Sequence, residues 1–245
     1  MEQMRYPGTL PVGATLGDAF RVYRLLFARS VLVAAIVYAL IAILEIVQHV
    51  TSGGVATLLS LVVAIASLAG PSLVQGALIG IVRSVHEGRA PEPVEQLLAA
   101  ARTRLMRLIG AAFVYAFGIA GGLLLFIVPG LIVAARWSLM PAIVMLEGRS
   151  VGDARRRSRD LVRGHSVAVF MCLLVAGVII LVPAGIVLKS GMGFGTATFV
   201  DFVWSSLTAP FTAHLLTVIY YRRSESARPV IHPDVLQWRS VWEGR

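Results

Sequence analysis

The chain has 245 residues, of which 57% are hydrophobic and 14% charged, and its mean hydropathy is +0.80. A water-soluble domain carries about 25% charged residues, so this composition excludes an ordinary soluble fold, a coiled coil and a nucleic-acid-reading module, and describes a chain whose main solvent is lipid. The net charge of +9 comes from 22 cations, all arginine except Lys189, and the single cysteine, Cys172, excludes a disulfide framework or a cysteine metal site.

Six runs reach or approach the roughly 20 apolar residues that a hydrocarbon core about 30 Å thick requires. In chain order they predict spans over about 30–49, 55–82, 109–128, 131–146, 166–188 and 197–221. Residues 1–29 are mixed and polar, without the short apolar core and small-residue site of a cleavable signal. Little more than Pro129 and Gly130 separates the third span from the fourth, which predicts a tight hairpin at that pair. The fourth span is short and carries Arg136. Segments 1–29, 83–108, 147–165 and 222–245 hold 20 of the 22 cations, whereas the opposite loops hold only Lys189. Positive residues resist translocation, so this split predicts a multi-pass protein of a bacterial-type plasma membrane with both termini in the cytoplasm.

The chain also matches itself. Thr15, Leu16, Gly17, Asp18 and Ala19, followed by Arg21, Arg24 and Leu26, align with Ser150, Val151, Gly152, Asp153 and Ala154, followed by Arg156, Arg159 and Leu161, at a constant offset of 135. Each match opens a helix that runs into a span, with Thr15 or Ser150 expected to cap the first turn and Asp18 or Asp153 to return the bond. Gly164 is a natural stop. Pro93 opens a third such segment, in which Val94, Leu97, Leu98, Ala101, Leu105 and Leu108 follow helical spacing. The second span of each pair carries Ser-Leu shortly before a proline: Ser67, Leu68 and Pro71; Ser138, Leu139 and Pro141; Ser206, Leu207 and Pro210. Chance recurrence in a biased composition is the competing explanation.

The fold expected is therefore all-α, a polytopic membrane helical bundle of six transmembrane helices arranged as three hairpins, each preceded by an amphipathic interfacial helix. Its units run about 15–82, 91–146 and 150–222 in a single membrane domain, 1–245, with 223–245 a cytoplasmic tail. Each proline would kink its helix and free a carbonyl for a neighbouring hydroxyl or water. Gly76, Gly80, Gly118 and Gly122 would let helices approach closely.

Charged side chains inside a span are functional suspects because lipid makes them costly. Glu45, Arg136 and Asp201 come one from each hairpin, all placed in the outer half by rise, so Arg136 is expected to pair with Glu45 or Asp201. Such a cluster either fixes helix register or lines a polar cavity, open to the outer side, that binds an anion or headgroup. Gln75 and His214 each follow a kink proline by four residues, and Met145 holds the related place after Pro141. A lone histidine of this kind reads as a hydrogen-bonded packing residue, and no metal is expected. On the cytoplasmic side Arg155, Arg159 and Arg163 form one helical stripe beside Arg156, and Asp153 lies one turn from Arg157. This basic face suits anionic headgroups, with a phosphate-binding or partner-docking role as the alternative.

The sequence holds no GxSxG, HExxH, GxxxxGK[ST] or strand-borne GxGxxG, so no catalysis and no cofactor are expected. The run from Ile127 through Pro129, Gly130, Arg136, Trp137, Ser138 and Pro141 to Gly148, continued by Ala154, Arg157, Ser158 and Leu161 to Gly164, resembles the glycerophosphoryl diester phosphodiesterase membrane domain family. The Gly-Asp-Ala near the N-terminus and Tyr220, Tyr221, Arg222 and Arg223 extend that resemblance over nearly the whole chain. It implies the membrane part of such proteins without their catalytic barrel, and no catalytic residue carries over. The expected role is lipid binding or scaffolding of protein partners in the membrane, with no nucleic acid; the alternative is a transporter or lipid-handling protein built around Arg136.

Overall fold

In lipid every backbone N–H and C=O must be satisfied within its own segment, so apolar runs without breakers become helices. The computed structural model describes residues 10–90, 92–189 and 191–224, with the side chains of 182–189 excepted. Residues 1–9 with Arg5, the tail from residue 225 and the Lys189 side chain lie outside the described residues. In chain order the elements are α1 (Val12–Val50), α2 (Gly54–His86), α3 (Val94–Thr103), α4 (Leu105–Leu125), α5 (Ile127–Trp137), α6 (Met140–Glu147), α7 (Val151–Val162), α8 (Ser166–Lys189) and α9 (Phe194–Ser224). Helices α1, α2, α4 and α9, and α5 with α6, are long and apolar enough to cross a membrane; α8, bent by 107° from α7, brings the spans to six.

The three leading segments differ in how they enter their spans. α3 and α4 are separated at Arg104, and α7 turns into α8 at Gly164, whose φ of +80 is a left-handed conformation that favours glycine. In the first segment the expected separate interfacial helix is instead the start of one 39-residue helix. No glycine or proline interrupts residues 18–50, and Arg29 stands where the offset of 135 would put the Gly164 stop. α1 starts at Val12 with Pro11 as its N-cap. Thr15 is therefore not the cap expected of it; it lies inside the helix, and its hydroxyl donates back to the Pro11 carbonyl at 2.9 Å.

The third-to-fourth reversal also moves. It falls at the single extended residue Phe126 rather than at Pro129 and Gly130, which sit in the first turn of α5. A first-turn proline sacrifices no helical bond, because its missing N–H had no intrahelical acceptor. Gly122 and Gly130 instead let the two arms touch: a Cβ on Gly122 would lie 2.7 Å from the Gly130 Cα. One on Gly118 would overlap the Trp137 ring.

The fourth span is broken at Ser138 and Leu139, and Pro141 opens α6, whereas Pro71 and Pro210 lie inside unbroken helices. After each proline the chain turns inward. Val74, Leu78, Ile79 and Ile81 of α2, Ile143 and Val144 of α6, and Leu215 and Ile219 of α9 are fully buried against one another at the charged end of the bundle. The opposite end carries its apolar residues outside; Leu124 is 89% exposed, and Val55, Leu58, Phe126 and Phe199 join it. Lipid tails solvate such side chains as well as other helices do, so nothing drives them inward.

Candidate functional site

Helices α1 and α9 run antiparallel along nearly their whole lengths and set the vertical scale of the molecule. Asp18 accepts Arg222 at the charged end, Ser30 Oγ lies 3.0 Å from His214 Nε2 further in, and His49 stacks on Phe194 at the far end with ring centroids 3.9 Å apart.

The charged end is knitted together by side chains that join one helix to the terminus of another. Ser150 caps α7, accepting the Asp153 N–H at 3.2 Å, while its hydroxyl donates to Asp153 Oδ2 at 2.7 Å. Arg157 does not pair with Asp153; its Nε donates to Glu147 Oε1 at 3.3 Å, because residue 157 lies on the inner side of α7, facing the end of α6. The same Glu147 oxygen accepts the Tyr220 hydroxyl at 3.0 Å, and its second oxygen accepts Arg149. Arg223 donates to the last-turn carbonyl of Leu161 at 2.9 Å. Arg104 donates to the Met145 carbonyl and Arg107 to the Gly148 carbonyl, placing cations at the negative end of the α6 dipole.

Ser158 is fully buried on the inner face of α7 and repairs the broken fourth span. Its Oγ accepts the Leu139 N–H at 3.2 Å and donates to the Arg136 carbonyl at 2.7 Å. Tyr23, the residue at an offset of 135 from Ser158, donates to the Leu207 carbonyl beside Pro210 at 3.0 Å. With Ala154, Leu161 and Val162 also buried, α7 presents Arg155, Arg156, Arg159 and Arg163 outward. Arg155 covers the Trp137 ring at 5.3 Å, a cation–π contact.

Of the three charges expected to cluster within the membrane, Glu45 lies on α1 and Asp201 on α9, the two antiparallel helices. Arg136 makes no ion pair with either among the described residues, and its side chain is exposed. The reason is topological: α5 packs against α4, α7 and α8, on another side of the bundle from the α1–α9 pair. His214 is fully buried with Nδ1 left without a described partner, and Gln75 is half-buried one turn beyond Pro71. No group of three or more metal-ligating side chains occurs among the described residues.

Sequence reasoning missed Glu147, Tyr220, Ser158 and the Asp18–Arg222 pair. The offset of 135 between Tyr23 and Ser158 was a signal present in the sequence; the partners of Glu147, up to 73 residues away, left none.

Fold and spans together define a multi-pass α-helical membrane protein. Residues 108–223, a little under half of the chain, match a family described as "Domain of unknown function (DUF7847)". That stretch runs from α4 to the end of α9. No curated protein and no solved structure matches the chain.

Proposed function

We propose that this is a non-catalytic protein of a bacterial-type plasma membrane, with six spans and both termini in the cytoplasm, that holds anionic lipid or a membrane partner protein against its charged face. The observation that carries this reading is the posture of α7. Its buried side is anchored to the break in the fourth span through Ser158, so Arg155, Arg156, Arg159 and Arg163 are held outward on a rigid support. Near an anionic surface each cation contributes on the order of 1 kcal/mol. The resemblance to the glycerophosphoryl diester phosphodiesterase membrane domain family falls on this same stretch and supports a membrane role without the barrel's chemistry. Three units, 15–82, 91–146 and 150–222, belong to the proposal; in their favour, the first two proline-bearing return helices pack on the leading segment that follows them, α2 on α3 and α6 on α7, and the last, α9, closes on α1. The transporter reading loses its main support, because Arg136 stands apart from Glu45 and Asp201.

The test replaces Arg155, Arg156 and Arg159 together by glutamine. Native mass spectrometry of protein extracted from mixed membranes should show several-fold less anionic lipid retained, with neutral lipid and the thermal midpoint unchanged. Retention equal to wild type, with no loss of a cross-linked partner protein, would remove this face from the function.

A further inference from the structure

A second basic feature lies away from α7. Where the charged end of α2 meets α3 and the end of α6, a cavity of about 250 Å³ is lined by Arg83, Ser84, Arg89, Glu92, Thr103 and Arg104, with Gly80 and Met145 at its floor. That volume is below the usual range for drug-sized ligands and suits a headgroup-sized one. Glu87 holds two of the cations in place: its Oε1 accepts Arg83 Nε at 2.8 Å and its Oε2 accepts Arg89. Arg104 is fixed from the other wall by its bonds to the Val144 and Met145 carbonyls. A guanidinium carries five N–H donors in a rigid fork, so each of the three keeps donors beyond those bonds. The hydroxyls of Ser84 and Thr103 donate to the Gly80 and Ala100 carbonyls.

Three arginines against Glu87 leave two positive charges for an anion, and Glu92, which also lines the cavity, offers a carboxylate to a cation. From this we infer that the cavity binds a phosphate ester carrying an amine, the chemistry of a phosphoethanolamine group, whether as a membrane lipid headgroup or as a free ester. Guanidinium forks match phosphate oxygens in bidentate geometry, and the Glu92 carboxylate accepts the ammonium. The inference stands apart from the α7 reading, since it shares no arginine with it.

The experiment uses the full chain in phosphatidylcholine nanodiscs, titrated calorimetrically with phosphoethanolamine and with inorganic phosphate. Arg104 is left intact because it also caps α6; the variants are Arg83→Gln and Arg89→Gln, both exposed, and the half-buried Glu92→Gln. Wild type should bind phosphoethanolamine more tightly than phosphate. Each arginine change should weaken both probes about tenfold, and Glu92→Gln should weaken phosphoethanolamine alone. Preferential retention of phosphatidylethanolamine in native mass spectra, lost in Arg89→Gln, identifies the lipid as the source, whereas binding of the soluble ester without retained lipid identifies the free ester. Absence of binding by either probe at millimolar concentration, or affinities unmoved by all three variants, overturns the inference.

Discussion

Ser158 shows how much one hydroxyl carries when a transmembrane helix is broken. A free N–H and C=O near the membrane interior each cost more than an ordinary surface hydrogen bond returns, because neither can turn to water. Ser158 serves both, the Leu139 N–H as acceptor and the Arg136 carbonyl as donor. Ser158→Ala should therefore lower stability by about 1–3 kcal/mol, read as a fall in thermal midpoint in detergent, while Thr103→Ala on the exposed side of α3 should barely move it. Equal midpoints for the two variants would show that the break is satisfied by something else. The hydroxyl was visible in the sequence as part of the run from Arg155 to Arg159, but its neighbours there are all arginine and drew attention to charge. What matters is that residue 158 falls on the buried side of α7 while Arg155, Arg156 and Arg159 fall outside.

At the scale of elements, helix starts and stops were readable where side-chain chemistry sets them and misread where packing does. Ser150, Pro93 and Gly164 mark boundaries in the structure as they do in the sequence. Thr15 resembles Ser150 in sequence yet lies inside a helix, since nothing after it halts propagation and Pro11 offers an earlier start. The sharp turn from α7 into α8 rests on the left-handed backbone at Gly164. A Cβ there would meet nothing within 4 Å, so Gly164→Ala tests backbone strain alone. It should cost about 1–2 kcal/mol, with Gly164→Asn costing less because asparagine tolerates that region; a thermal midpoint equal to wild type for the alanine variant would mean that the bend is held by packing. The fourth span divides at Ser138 and Leu139 because α7 supplies a hydrogen-bonding substitute from outside the helix. A sequence reader sees the proline at 141 and not that partner.

For the whole molecule, the polarity of the ends predicts which side of the membrane each faces. Arginines at the ends of α2, α7 and α9, with Arg149 just past α6, lie together with the buried core, while the Thr51–Gly53 turn, Phe126 and Gly191 lie at the other end. Cysteines introduced at Ser52 and at Gly152 should report this directly, since Cys172 is buried and silent. An impermeant maleimide applied to intact cells should label position 52 and reach 152 only after lysis. Labelling of both from outside would reverse or break the six-span topology. The closure of the bundle by α1 against α9 also predicts that the first and last helices act as one element: their contacts run from Asp18–Arg222 to His49–Phe194.

Composition and periodicity alone determined that the chain is helical, apolar and multi-pass, because a lipid solvent permits little else, and the arginine count predicts a side for each loop because charge resists transfer whatever the packing. Tertiary structure decided the rest. It separated Arg136 from Glu45 and Asp201, since residues at similar depth can still lie on different sides of a bundle. It also gathered Arg83, Arg89 and Arg104 around one cavity, a grouping across the break between two helices that no spacing along the chain reveals. Glu147, Arg157 and Tyr220 meet for the same reason: the helices that carry them are brought together by apolar packing, and the polar bonds form only once that packing has placed their ends side by side.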